Sequence, residues 1–157
     1  MRILGFDPGY GRLGFGVIDV TRGKATAVTF GVITTKAGEK QGKRLLEIND
    51  DAESLIKAHQ PDVIAIEELF FAKNVTTALK VAEVRGILLY LAAKYGISVQ
   101  EVKPVEVKMA LTGYGKADKR QMQDMVKAVF GLSKVPKPDD AADALAIAWA
   151  AIGRSAG

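Results

Sequence analysis

Cysteine is absent from this 157-residue chain, which excludes disulfides and thiolate metal sites and fits a reducing compartment. Histidine occurs once, as His59 ahead of a Gln-Pro-Asp segment. There it reads as a surface or capping residue rather than a base. The longest apolar stretches are interrupted by charges and are too short to span a bilayer. No low-complexity tract, internal repeat or linker divides the sequence. Strand-like sequence from Arg2 leads to the expectation of no secretory leader, and no GxxxxGK-S/T phosphate loop occurs. These absences lead to the expectation of one soluble, cytoplasmic, globular domain over 1–157 with no membrane partner.

Positive charge is in slight excess, 22 Lys and Arg against 18 Asp and Glu. The resulting pI near 9.3 suits a polyanionic partner without specifying one. Residues 2–7, 13–20 and 25–35 read as strands separated by glycine-containing turns, the second turn spanning 21–24. A helix over 41–59 follows, with Leu45, Leu46, Ile48, Ala52, Leu55 and Ile56 as its apolar stripe. A buried strand over 62–68, a long helix over 76–94 and a strand over 97–102 come next. Helices over 104–111, 118–130 and 139–152 complete the chain. Strands first, then strands alternating with helices, predict an α/β fold with a mixed sheet covered by helices.

Within "GFDPGYGRLGFGV" an apolar run ends in Asp7, and a buried, unpaired carboxylate is costly. Glu67 or Glu68 ends the fourth strand in the same way, and alternation sends only one of the two to a given face. The last helix opens "DDAADALAIAWA", where Asp140 and Asp143 are one turn apart on one face continued by Ile147 and Ala151. Its alanines keep it slim enough to approach a sheet closely. Asp139 or Asp140 alone suits helix capping. Three separate elements that each join acid to an apolar run, with no excess of Lys or Arg beside them, point instead to a shared cation. An all-oxygen ligand set favours Mg2+ or Mn2+ over zinc, and two such ions assist phosphodiester hydrolysis.

The segments "ILGFDPGYGRLGFGVI", "AIEELFFAKN", "GYGKADKRQMQDMV" and "DDAADALAIA" together resemble the ordered motifs of the bacterial RuvC family of Holliday-junction resolvases, from Met1 to about Ile152. The resemblance implies an RNase H-like fold with a five-stranded mixed sheet flanked by helices. It implies a homodimer that resolves four-way DNA junctions by symmetric paired nicks in recombination and repair, leaving 5′-phosphate and 3′-hydroxyl ends. It places the catalytic, metal-binding carboxylates at Asp7, Glu67, Asp140 and Asp143. It further implies two Mg2+ per subunit, with Mn2+ as a substitute, and the RuvA–RuvB branch-migration complex as a partner.

Lys108, Lys116, Lys119 and Arg120 concentrate positive charge near the acids and suit phosphate contacts. By the resemblance, Lys108 and Lys119 reach the scissile region, and Lys119 also stabilises charge on the reacting phosphate. Phe70 matches the family aromatic that stacks on an unpaired base, with Lys73 beside it as a further DNA contact. Phe71 reads as core, and Tyr114 serves equally as a stacking or a packing residue. The helix over 76–94 is apolar beyond one stripe, with Leu79, Ala82, Leu89 and Ala93 on one side. Either it is deeply buried, or a second face meets its copy about a two-fold axis, as the resemblance implies. Two other classes fit parts of the pattern. A sugar-kinase-like phosphotransferase needs a second domain that this chain has no room for, and a non-enzymatic binder of polyanions gains nothing from clustered acid.

Overall fold

The computed structural model describes residues 1–69 and 74–155. In chain order the elements are β1 (Arg2–Pro8), β2 (Arg12–Thr21), β3 (Lys24–Thr34), α1 (Gln41–His59), β4 (Val63–Glu67), α2 (Val75–Lys94), β5 (Ser98–Val102), α3 (Pro104–Thr112), α4 (Lys119–Val129), α5 (Asp139–Ala150) and α6 (Ile152–Ser155). Their order matches the sequence expectation, with boundaries differing by a residue or two. The last helix breaks at Ala151, and the short α6 takes up its expected end.

The five strands form one sheet in the order β3-β2-β1-β4-β5. The pairs β1/β2 and β2/β3 are antiparallel, whereas β1/β4 and β4/β5 are parallel. At the β2–β3 hairpin, Arg22 and Gly23 both have positive φ (53° and 78°), the turn that matches the twist of the flanking strands.

Alternation along the strands divides the core in two. Ile3, Ile18, Val63 and Ala65 pack with α3, α4 and α5, whereas Leu4, Phe6, Val17, Ile64 and Ile66 pack with α1 and α2. The approach of α5 to the sheet is set by glycine. A Cβ at Gly5 would stand 2.3 Å from the Ala144 carbonyl oxygen, and one at Gly14 would stand 2.1 Å from that of Asp140. Gly5 and Gly16 face each other across β1 and β2, so backbone meets an alanine-rich helix there with little side chain between. Of the eight positions of α5 from Ala141 to Ala148, all but Asp143 are buried.

Two helices depart from the expected faces. In α1 the buried stripe is Arg44, Ile48, Ala52 and Ile56, and Leu46 is exposed, a correction to the apolar stripe read from sequence. In α2, Ala78, Val84, Leu88, Leu91 and Ala92 are buried, while Leu79, Leu89 and Tyr90 are exposed. Deep burial therefore does not account for its second apolar side. No described helix is long and apolar enough to cross a membrane.

Candidate metal centre

Strand alternation aims Asp7 at α5. Ile3 belongs to the α5-side core, and Gly5 lies against Ala144 and Ala148, so Asp7 continues the same face. In the parallel register Phe6 stands beside Ile66, which places Asp7 and Glu67 next to each other at the ends of adjacent strands. Val63 and Ala65 lie in the α5-side core, so Glu67 shares that face. Glu68 follows the end of β4 and lines a second cavity together with Glu67. Across the antiparallel pair, Asp7 is opposite Gly14, and the Asp140 backbone rests on this glycine. The first turn of α5 is thereby held against Asp7.

The carboxylates of Asp7, Asp140 and Asp143 each offer an oxygen within 4.8 Å of the others. Glu67 lies beside this trio rather than within it, and lines a cavity with Asp143, Lys108 and Lys119. Burial, then Asp143, Glu67 and Asp140, push the Asp7 carboxyl up to about 8, with Lys119 opposing. Burial and then Asp143 raise Glu67, against Lys108 and Arg85. Burial also raises Asp143, which Lys119 and a hydrogen bond with Asp7 oppose while Asp140 and Asp139 add to the rise. Burial first, and repulsion among neighbouring carboxylates second, favour the protonated forms of Asp7, Glu67 and Asp143. A divalent cation relieves the same repulsion, and donors that are all carboxylate oxygens fit a hard ion.

Cations surround the acids unevenly. Lys119 is the first residue of α4 and pairs with Asp139 at 3.1 Å. Asp139 also meets Lys137 at 3.5 Å and accepts from Gln123 at 3.1 Å, so it is drawn away from the trio. Lys108 faces the cavity from α3. Lys116 and Arg120 are exposed and do not line that cavity. Tyr114 is exposed. Phe70, Phe71 and Lys73 lie outside the described residues.

The expectation of no excess of Lys or Arg beside the acids did not foresee one arginine that pairs with them. Arg12, at the start of β2, reaches Asp140 with Nε 2.9 Å from Oδ2. It sits there because the tight turn after Pro8 returns the chain to the same end of the sheet. Both partners are substantially exposed, so the pair is solvent-screened and leaves Asp7 and Asp143 uncompensated by arginine. Arg85 was also not foreseen. From α2 it donates to the Glu67 carbonyl and to the Glu101 carboxylate, with its side chain only 11% exposed. The signal in the sequence was the one arginine of α2, in a helix that also carries Lys80, Glu83 and Lys94.

A family model described as "Crossover junction endodeoxyribonuclease RuvC" matches residues 3–151. A relative of that name from Chloroflexus aggregans is 53% identical over 148 residues, covering 94% of this chain and 90% of its own length. Among solved structures, Thermus thermophilus RuvC superposes with a TM-score of 0.91 at 33% identity, covering 99% of this chain and 96% of that one. A second, T. thermophilus RuvC in complex with Holliday junction substrate, gives 0.90 at 31% identity with the same coverage.

Proposed function

The chain belongs to the RuvC family of crossover junction endodeoxyribonucleases, and on that premise we propose that its carboxylate cluster hydrolyses phosphodiesters of four-way DNA junctions. It is an RNase H-like, metal-dependent endonuclease acting on Holliday junctions in recombination. The observation that carries the site is the convergence of Asp7, Asp140 and Asp143 oxygens within 4.8 Å, with Glu67 on the adjacent strand. In this reading these four residues hold the ions, two Mg2+ per subunit with Mn2+ able to substitute. Bound ions of this kind activate water and stabilise the leaving oxygen.

The chain's own residues set the rest of the site. Asp7 and Glu67 fix the ligand spacing through strand register, while Asp140 and Asp143 do so through one helical turn. Lys108 and Lys119 bring positive charge to the cavity shared with Glu67 and Asp143, where they suit a DNA phosphate, and Lys119 suits charge stabilisation at the reacting group. Lys116 and Arg120 extend the phosphate-facing surface, and Phe70 and Lys73 follow the Glu67 strand as junction contacts. The exposed Leu79, Leu89 and Tyr90 of α2 support a homodimer, whose two-fold axis would present one site to each of two opposing strands. Work beside the RuvA–RuvB complex in the cytoplasm, by one nuclease domain spanning 1–157, completes the proposal.

The test is a synthetic four-way junction incubated with the protein and Mg2+. Paired symmetric nicks with ligatable ends are expected, and no comparable cutting of linear duplex. Asp7→Asn should lose the nicks while retaining junction binding. Full activity in that variant would overturn the assignment of the site.

A further inference from the structure

On the other side of the turn that follows Asp7 lies a second cluster, built from different elements. Arg44 of α1 is 8% exposed, the one charged side chain in the buried class among the described residues. Its Nε donates to Thr35 Oγ1 at 2.8 Å, and its guanidinium carbon lies 5.4 Å from the Tyr10 ring centre. Lys80 of α2 approaches the same ring, with Nζ 5.0 Å from the centre and 3.4 Å from the phenol oxygen. Gly11, at φ +78°, leaves space for the guanidinium, since a Cβ there would stand 2.6 Å from Arg44 Nη2. These groups, with Gly9 and Gln41, line one small pocket.

The charge balance of the pocket is incomplete. Among the described residues no carboxylate forms an ion pair with Arg44 or Lys80. Glu39 pairs with Lys43, and Glu83 accepts from Gln41. A buried guanidinium normally has a charged partner, and the ring face of Tyr10 offers only part of one. If Arg44 served only to brace the turn, a second cation on the same ring would add repulsion without adding support. Both cations also lower the proton affinity of the phenol, Lys80 more than Arg44, as a positive potential does. The pocket has room for no more than one water, so an anion would meet these groups at its rim, where Tyr10 is exposed.

We propose that Arg44, Lys80 and turn 9–12 seat a backbone phosphodiester of the bound DNA strand. The geometry fits a strand passing over the turn. Tyr10 is three residues from Asp7, hence within about 11 Å along the chain, close enough for one strand to meet both. Arg12 leaves the same turn toward Asp140, so one loop faces the metal centre on one side and the phosphate seat on the other. The proposal rests on the DNA-cleaving reading for its ligand, but not on the metal site for its chemistry.

The experiment uses the full, metal-free chain and two probes, the dinucleotide d(TpT) and inorganic phosphate, followed by amide NMR at Gly9, Tyr10 and Gly11. Saturable shifts with d(TpT), lost in Lys80→Ala, are expected. Junction affinity is then measured across a salt series in Ca2+. Lys80→Ala should weaken binding about 3–10-fold and reduce the magnitude of the log K against log salt slope by about 0.9. Arg44→Lys should fall between that variant and the parent. Lys80 is half-buried at the surface of α2, so its truncation tests the seat without a folding defect, which a melting curve verifies. A parent that binds and cuts junctions while Lys80→Ala and Arg44→Lys match it in affinity and slope overturns the seat and leaves the nuclease reading standing. Shifts with inorganic phosphate but none with d(TpT) also overturn it. Shifts with d(TpT) from a parent that ignores junctions support the seat and overturn the nuclease reading instead.

Discussion

At Asp7, burial and neighbouring carboxylates move the proton affinity from 3.8 to about 8, which fixes the sign of a pH effect. Without metal, the unfolded chain releases this proton near 3.8 and the folded chain holds it to about 8. Between those values the unfolded state binds fewer protons, so stability from this residue falls as pH rises and is fully present only below the lower value. Asp7→Asn lacks that loss. In denaturant titrations with EDTA, the parent should lose about 3–4 kcal/mol more than the variant between pH 5 and pH 8. Mg2+ at pH 8 should restore the parent and leave the variant unchanged. Parallel profiles would contradict the placement of Asp7 in a repelling cluster. For Lys119, truncation to Ala should lower the nicking rate about 100-fold with a smaller effect on junction affinity. Equal losses in rate and binding would make it a docking residue only.

Among the elements, α5 depends on glycines it does not contain. Gly5→Ala and Gly14→Ala should each destabilise by at least about 1–3 kcal/mol, because the added carbon meets helix backbone rather than a movable side chain. Gly42→Ala is the control, since a Cβ there meets nothing within 4 Å, and it should be neutral or stabilising by up to about 1 kcal/mol. Denaturant midpoints for the three variants decide the point. Much of this architecture was legible in sequence. Short apolar runs between glycine-containing turns identified the first strands, and alternation allowed only one of Glu67 and Glu68 on a given face. Spacing of one turn paired Asp140 with Asp143, and the run of alanines announced a close helix–sheet contact. The glycines that receive it were not legible as such, because their role depends on strand register and on a helix some 130 residues away along the chain. Arg44 was missed for a related reason. Its burial follows from packing against turn 9–12, and on α1 alone Leu46 is the more obvious core residue. Arg12 was quoted within the opening motif, yet only the folded turn reveals its reach to Asp140.

For the whole molecule, the apolar side of α2 left open by the single chain carries a prediction about assembly. Leu89→Glu should yield a monomer by sedimentation, with junction nicks that are no longer paired. Leu89 is exposed in the single chain, so the monomer itself should stay folded by circular dichroism. A parent that sediments as a monomer at micromolar concentration would exclude this use of the helix. Arg85 ties the same helix to the end of β4 through the Glu67 carbonyl, so Arg85→Met should raise the Mg2+ concentration needed for half-maximal nicking several-fold. Titration of the metal at fixed junction concentration checks this.

The direct contact of α5 with bare strand backbone at Gly5 and Gly14 also has a thermal consequence. No compressible cushion lies between the two, so warming cannot loosen the interior while sparing the pocket. Lifting the helix parts Asp140 from Asp7 in the same event, and inactivation and melting should coincide without a temperature window between them.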